Sequence, residues 1–240
     1  SYKRWKIFPL IAKKNFRSFD ICLSSSKKTS QYLRLLGVKK IKNIGNLKFT
    51  ESENIKNNLD RDLKKFFLSK NIWCASSTHN KEELICANIH KKLKGKHKNL
   101  LTVIIPRHIN RANEIINRIK KLDLKIHLHN SKNRMEKDTD IYLVNSFGQT
   151  KSFFKICKTV FLGGSMIRHG GQNPLEAARF GCKILHGPHI WNFDEIYSLL
   201  KKNKVSRKIT TSNQLTHEVD KMLNTKNKNG NLELKIKSLG

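Results

Sequence analysis

The chain has 240 residues, with 49 Lys or Arg against 18 Asp or Glu, which gives a formal charge of +31 at pH 7. This length allows one large domain or two small ones, with a core that needs no disulfide bonds. The longest strongly apolar run, Leu100 to Ile105, is far shorter than the ~20 residues that span a bilayer, and the first residues lack the apolar stretch of a signal peptide, so the composition argues against a membrane-spanning or secreted protein.

Residues 1–45 are predicted to form a small unit of their own. They hold a basic aromatic segment, a short strand over Asp20–Leu23, a helix over Thr29–Leu36 and a second short strand over Lys42–Ile44. This is too little to close a sheet. The polar residues 46–58 are predicted to be a linker, residues 59–224 a second domain, and the Lys- and Asn-rich residues 225–240 a fraying tail.

Strands and helices are predicted to alternate along the chain. The apolar runs that indicate strands are Ile21–Leu23, Ile72–Ala75, Leu100–Ile105, Ile126–Leu128, Ile141–Val144, Val160–Leu162 and Ile184–Leu185. Apolar spacing of three to four residues predicts helices over Lys81–Leu93, Arg111–Leu122, Asn192–Leu200 and Asn213–Leu223. Asn80 and Glu83 have the spacing of a helix-capping pair. Such apolar strands are typical of a sheet covered on both faces, so the sequence predicts an α/β fold with a parallel sheet.

The five cysteines favour a reducing environment. Their number is odd, no two have the Cys-x-x-Cys spacing of a metal or redox site, and four lie in or beside apolar stretches: Cys22, Cys74, Cys86, Cys157 and Cys182. They are interpreted as small buried apolar residues in a cytoplasmic protein.

Small, polar and cationic residues follow the predicted strands, at the end of a parallel sheet where ligands bind. Ser77, Thr78 and His79 follow one strand, and Arg107 and His108 follow the next. Gly163, Gly164 and Ser165 come after a later strand, and the segment Gly170 to Glu176 comes soon afterwards. This grouping at one edge of the sheet is the main functional signal that the residues carry by themselves.

Two glycine-containing segments are candidates for binding a phosphate. Backbone amides at Gly163-Gly164-Ser165 can accept an anion, and the competing interpretation is a tight turn. Gly171 and Asn173 lead into a helix on which Asn173 is the predicted cap and Pro174 lies in the first turn. Glu176, in that first turn, either accepts hydrogen bonds from a ribose diol or complements the helix dipole.

Cationic side chains at the same edge have competing interpretations too. Arg107 can bind a phosphate or a carboxylate with two hydrogen bonds, or it is a surface arginine. His79 and His108 are interpreted as structural before catalytic, and the histidines show no zinc-binding spacing, so no metal is predicted. Lys48 can reach a cleft between the two predicted domains, but it is one lysine among many.

In their order along the chain, these segments resemble the 3-deoxy-D-manno-octulosonic acid (Kdo) transferase family. The matching segments are Arg4-Trp5, Gly45-Asn46-Leu47-Lys48, Ser77-Thr78-His79, Glu82-Glu83, Pro106-Arg107-His108 with Arg111, Gly163-Gly164-Ser165, Gly171 to Glu176, and Gly187-Pro188-His189 with Asn192-Phe193. Each is short, but their shared order over most of the chain carries the resemblance.

The resemblance implies the C-terminal, Rossmann-like half of a GT-B glycosyltransferase. Such enzymes transfer Kdo from CMP-Kdo to a lipid A precursor at the cytoplasmic face of the inner membrane, and the nucleotide site requires no metal or other cofactor. The implied donor-binding residues are Lys48, Ser77, Thr78, Arg107, His108, Gly163, Gly164, Ser165, Gly171, Asn173 and Glu176. Among these, Gly164 and Ser165 would meet the phosphate with their amides, and Glu176 would hold the ribose.

The resemblance also implies an N-terminal acceptor domain that carries the general base. Residues 1–45 match only the last elements of that domain, so we expect most of it, and the base, to precede Ser1. The chain alone is therefore expected to bind CMP-Kdo and to transfer sugar poorly. Local departures from the family's pattern occur at Asn145, Gln149 and Gln172, where the family usually has Asp, Glu and His.

Other functions stay open on the sequence alone. The charge suits an anionic membrane surface carrying phosphorylated lipid, and it also suits nucleic acid. Only 8% of the residues are aromatic, without a stacking motif, so no nucleic-acid partner is expected. A GT-B transferase with a UDP-sugar donor and a non-catalytic donor-binding relic are the remaining alternatives.

Overall fold

A computed structural model of the protein describes residues 2–44 and 59–225, which fall into two compact units. The first unit contains helices α1 (Tyr2–Trp5), α2 (Pro9–Arg17) and α3 (Lys27–Leu35), and strands β1 (Cys22–Ser24) and β2 (Ile41–Asn43). The two strands pair in parallel. The predicted helix and strands are confirmed to within two residues, whereas α2 was not predicted because basic residues interrupt its apolar spacing.

The second unit alternates strands with helices. Its strands are β3 (Asn71–Thr78), β4 (Leu100–Pro106), β5 (Ile126–Leu128), β6 (Ile141–Leu143), β7 (Thr159–Leu162), β8 (Lys183–His186) and β9 (Ser206–Lys208). Its helices are α4 (Arg61–Leu68), α5 (Glu82–Leu93), α6 (Ala112–Lys120), α7 (Thr150–Ile156), α8 (Leu175–Arg179), α9 (Asp194–Lys202) and α10 (Ser212–Asn224). All the apolar runs of this unit that predict strands are confirmed.

The seven strands form one parallel sheet in the order β5-β6-β4-β3-β7-β8-β9. From β3 the chain adds β4 beside it, then β5 at the edge of the sheet, and then β6 between β5 and β4. It next crosses to the other side of β3 and adds β7. The strand order therefore reverses between β3 and β7, and a cleft outside the carboxyl ends of the strands is expected at that point. The α/β prediction with a parallel sheet is confirmed.

Burial on both faces explains why the central strands are so apolar. All seven residues of β4 are buried, and α5, α6 and α10 contribute Ile89, Ile115 and Leu215 to the core that covers it.

Cys74, Cys86, Cys157 and Cys182 are buried as free thiols, and burial raises the pKa of the Cys74 and Cys86 thiols. No helix within the described ranges has the length and apolar character to cross a bilayer.

The start of α5 differs from the predicted capping pair. The helix begins at Glu82, and the residue before it, Lys81, has a left-handed backbone conformation with φ of 79°. Asn80 instead accepts a hydrogen bond from the Arg118 guanidinium. The Asn80–Glu83 prediction is wrong because Glu82 and Glu83 are both buried and have other partners, as described below.

A buried polar network lies at the amino-terminal edge of the sheet, before β5 and β6. Asp140 lies before β6 and accepts hydrogen bonds from His90 Nε2 at 3.1 Å, from Lys94 Nζ and from the Lys125 amide at 2.9 Å. Burial alone would raise the pKa of Asp140, but these donors outweigh it and lower that pKa to about 2.

We expect this network to make the unit acid-sensitive. The Asp140 pKa is lower in the folded than in the unfolded chain, so its contribution, about 2 kcal/mol, is present above pH 4 and is lost as the pH falls toward 2. Urea unfolding of wild-type protein between pH 5 and 2 should show that loss, and Asp140→Asn should show less of it. Glu195→Gln, which changes an exposed carboxylate on α9, should behave as wild type; an equal effect of both substitutions would contradict the assignment.

Candidate functional site

The strand reversal brings the predicted polar segments to one place. β3 ends with Thr78 and is followed by His79, and β7 is followed directly by Gly163. The Gly163 amide donates to the Ser76 carbonyl at 2.9 Å, so the two strand ends are in contact. A Cβ atom on Gly163 would lie 2.5 Å from the Ser77 carbonyl oxygen and 2.6 Å from Thr78 Cα, so only glycine fits at this position.

Glu82 is the central acceptor of this site. Its side chain is fully buried, and its two carboxylate oxygens accept hydrogen bonds from four backbone amides. Oε2 accepts from His79 at 3.0 Å and Gly164 at 2.7 Å, and Oε1 accepts from Ser165 at 3.1 Å and Met166 at 3.0 Å. A side chain at the start of α5 thus holds the loop that follows β7.

This arrangement corrects one prediction. The amides of Gly164 and Ser165 were predicted to be open to a phosphate, but Glu82 already occupies both. The nest of amides that a Gly-Gly-Ser segment offers an anion is present, with a carboxylate of the protein as the anion. Gly163 and Ser165 serve chain packing, because the Ser165 hydroxyl also accepts from the Gly187 amide at 2.8 Å.

The second glycine segment folds back onto the first. The Gly171 amide donates to the Gly164 carbonyl at 2.8 Å, and Gly171 has a positive φ of 79°. Asn173 accepts from the Leu175 amide at 3.2 Å, as a cap would, although α8 itself begins one residue later than predicted, with Pro174 at its cap position. The predicted capping hydrogen bond of Asn173 is therefore confirmed, but the helix begins one residue later than predicted.

Glu176 lies in the first turn of α8 and is about two-fifths exposed. Its Oε1 is 3.7 Å from Lys151 Nζ on the neighbouring helix α7. At this distance and exposure the pair with Lys151 adds little stability.

The two arginines after β4 have different surroundings. Arg107 is exposed, and its amide donates to the Thr78 carbonyl at 2.9 Å. Arg111 binds Glu83, with Nη1 to Oε1 at 2.8 Å, and also Glu114 at 3.2 Å. Burial raises the pKa of Glu83, and the Arg111 hydrogen bond opposes that effect. Arg111 is therefore committed to the protein, whereas the exposed Arg107 is available to a ligand.

Three histidine rings meet beside Gly164. The centroid of the buried His79 ring is 4.0 Å from that of His169 and 5.7 Å from that of His108, both of which are exposed. His79 Nε2 is 3.3 Å from Gln172 Nε2. Burial, followed by the charges of His169, His108, Arg107 and Arg111, lowers the pKa of His79 to about 4, so this ring is neutral at pH 7.

The segment that departs from the family's pattern lies after β6, on the same side of the sheet. Asn145 Oδ1 accepts from the Asn130 amide at 3.2 Å, and Gln149 directly precedes α7. Phe147 is three-quarters exposed, which is unusual for so large an apolar side chain. The Asn145 side chain thus serves local structure, whereas Gln149 makes no side-chain capping hydrogen bond to α7.

The remaining predicted residues are placed as follows. Ser77 has a positive φ of 55° and Thr78 is fully buried, and both end β3 next to Gly163. Lys48 lies outside the described residues. Two residues of the site were not predicted individually from the sequence. Glu82 is part of the Glu82-Glu83 segment of the resemblance, and His169 has no signal beyond its place between Gly164 and Gly171. Within residues 2–44 and 59–225, no group of three His, Cys, Asp or Glu side chains could hold a metal ion.

Sequence comparisons find several relatives named 3-deoxy-D-manno-octulosonic acid transferase. A 3-deoxy-D-manno-octulosonic acid transferase from Haemophilus influenzae is 33% identical over 156 residues, which cover 65% of this chain and 36% of the relative. The transferase of that name from Rickettsia prowazekii is 29% identical over 234 residues, covering 95% of this chain and 49% of the relative. No protein-family model matches the chain. The chain spans about half the length, or less, of these curated relatives.

Comparisons with solved structures support the fold. The C-terminal CMP-Kdo binding domain of WaaA from Acinetobacter baumannii superposes with a TM-score of 0.67 at 21% identity, covering 73% of this chain and 92% of that domain. HepE from Anabaena, solved with UDP and glucose, superposes with a TM-score of 0.55 at 12% identity, covering 99% of this chain and 63% of HepE. The predicted GT-B-type C-terminal domain is therefore confirmed as the fold.

Proposed function

Because its sequence groups this chain with the 3-deoxy-D-manno-octulosonic acid transferase family, we propose that its seven-stranded unit binds the CMP-Kdo donor of a glycosyltransferase. One observation carries the proposal. The segments that resemble the family come together at the β3–β7 strand reversal. Arg107, His79 and Gly164 meet there, at the position where parallel sheets bind nucleotides.

In this proposal the donor-binding unit stabilises the leaving nucleotide. Transfer of the sugar leaves negative charge on the phosphate of CMP, and positioned cations next to that phosphate lower the barrier. Arg107 is an exposed cation at this edge, with His108 beside it. Glu176 would accept hydrogen bonds from the ribose hydroxyls. Lys48, the other cation of the implied donor set, lies outside the described residues and stays a prediction.

We propose that the first unit is part of an acceptor domain. It exposes Ile7, Leu10, Leu23 and Leu35, each by more than half of its surface, and its sheet has only two parallel strands. Parallel sheets are normally covered on both faces, and exposed apolar patches of this kind mark an interaction surface. The acceptor would be a phosphorylated lipid A precursor, reached at the cytoplasmic face of an anionic membrane that the excess of Lys and Arg favours.

Thermal denaturation with nucleotides tests the donor assignment. A ligand that binds only the folded state raises the melting temperature according to its concentration and Kd. We expect CMP to raise the melting temperature of the 240-residue chain more than UMP or UDP does at equal concentration. A larger shift with UDP would favour a UDP-sugar donor, and no shift with any nucleotide, together with salt-dependent RNA binding, would favour the nucleic-acid alternative.

Glu176→Ala is expected to weaken CMP binding by roughly tenfold to a hundredfold, the cost of losing hydrogen bonds to a charged acceptor. The melting temperature without ligand should stay close to wild type, because Glu176 is partly exposed. Calorimetric titration with CMP measures the effect. Lys151→Met is the matched control, because it removes the same ion pair and keeps the carboxylate. Unchanged affinity in Glu176→Ala would remove this residue from the site.

A further inference from the structure

The histidine cluster (His79, His108 and His169) is built from three separate segments. His79 follows β3, His108 follows β4, and His169 lies in the loop after β7. A Cβ atom on Gly164 would lie 3.2 Å from His79 Cδ2 and 3.3 Å from His169 Cδ2, so Gly164 keeps open the space that two of the rings share. Three imidazoles therefore converge on the strand reversal, the expected ligand position of this sheet.

The charges around His79 are unbalanced. Arg107 and Arg111 face it from the segment after β4, and His108 and His169 are its nearest rings. The carboxylates on α5 are already bound: Glu82 by four backbone amides, one of them from His79 itself, and Glu83 by Arg111. Among the described residues, no carboxylate lies within ion-pair distance of the His79 ring. The His79 ring thus has cations beside it and no carboxylate paired with it.

The amides of Gly164 and Ser165 cannot receive a phosphate, since Glu82 occupies both of them. An incoming phosphate would instead meet the imidazoles and Arg107. A negative charge beside an imidazole favours its protonated form, so an anion bound there raises the affinity of the rings for a proton. By thermodynamic linkage, a proton on the rings raises the affinity for the anion to the same extent.

We propose that His79, His108 and His169 form an anion subsite that takes up a proton when the phosphate group of a nucleotide binds. This inference rests on the proposed function, and adds to it a dependence of donor affinity on pH. The proton is shared by three interacting rings, so it belongs to the cluster and not to one histidine. His79 is buried and neutral at pH 7, and its ring contacts those of His108 and His169, the two exposed rings that a ligand would touch. It therefore links these two rings to each other.

The test is calorimetric titration of the full chain with cytidine 5′-methylphosphate, a phosphodiester that does not titrate between pH 6 and 8. Titrations in two phosphate-free buffers with different ionisation enthalpies give the number of protons taken up. We expect uptake of a substantial fraction of a proton, and an affinity that rises roughly threefold to tenfold from pH 8 to pH 6. His169→Gln changes an exposed ring and should reduce both effects. His217→Gln, an exposed histidine on α10, should leave both unchanged.

The outcomes separate this inference from the proposed function. Binding that is independent of pH, without proton uptake, overturns the inference and leaves donor binding standing. Linkage that persists unchanged in both His108→Gln and His169→Gln also overturns it. No binding of the phosphodiester at any pH overturns the proposed function and the inference together. Cytidine, which lacks the phosphate, should bind without proton uptake; an equal uptake with cytidine would place the proton elsewhere.

Discussion

Glu82→Ala is expected to lower the free energy of unfolding by about 4 kcal/mol, because four buried amides lose their common acceptor. Glu82→Gln keeps one acceptor oxygen but removes the charge, so its loss should be smaller, about 2 kcal/mol. Urea unfolding at pH 7, followed by circular dichroism, measures both. Glu82 holds the loop after β7, which carries Gly164 and His169 of the proposed site, so we also expect both variants to bind CMP less tightly than their stability alone explains.

Glu114→Ala is the control for this substitution. Glu114 lies on α6, is about two-fifths exposed and pairs with Arg111 and Arg118 at the surface. Exposed ion pairs of this kind contribute about 1 kcal/mol or less. Equal losses of stability in Glu82→Ala and Glu114→Ala would show that the Glu82 carboxylate does not hold the loop after β7.

Gly163→Ala is expected to cost about 3 kcal/mol or more, because its Cβ atom would lie 2.5 Å from the Ser77 carbonyl oxygen and 2.8 Å from Glu82 Oε2. These clashes are removed only if β3 and β7 separate at the ends that form the site. We expect a lower melting temperature and, in the fraction that folds, weaker CMP binding. Gly95→Ala is the matched control, since a Cβ atom there meets nothing within 4 Å, and it should change stability by less than about 0.5 kcal/mol. Similar stabilities of the two variants would contradict this account.

The sequence predicts the centre of the sheet well and its margins poorly. β3, β4 and β7 are buried on both faces, so their apolar runs mark them directly. The edge strand β9 reads Ser206-Arg207-Lys208, and its two charged residues are exposed. Charged residues are typical of the free edge of a sheet, and they hide the strand from any search for apolar runs. α4 and α7 were missed because each is short and carries lysines.

The grouping of the polar segments at one edge of the sheet was predicted, but their hydrogen bonding was not. Residues after successive parallel strands must lie at one edge, so His79, Arg107 and Gly164 could be grouped from their order alone. The sequence could not reveal that Glu82 accepts hydrogen bonds from the amides of Gly164 and Ser165, because these contacts join residues 82 and 83 positions apart. The resemblance implied a nucleotide phosphate on these amides, and the proposed phosphate position now lies on the side chains of Arg107 and the histidine cluster.

The hydrogen bonds of Glu82 also set an order of events in folding. Its amide partners Gly164, Ser165 and Met166 follow it by 82 to 84 residues, so they become available only when β7 has added to β3. Closing so long a loop is slow compared with forming a local helix such as α5. Until then the carboxylate must remain hydrated, since an unpaired buried charge is strongly unfavourable. On the ribosome, a nascent chain that has not yet exposed Met166 would therefore keep the amino end of α5 open to water.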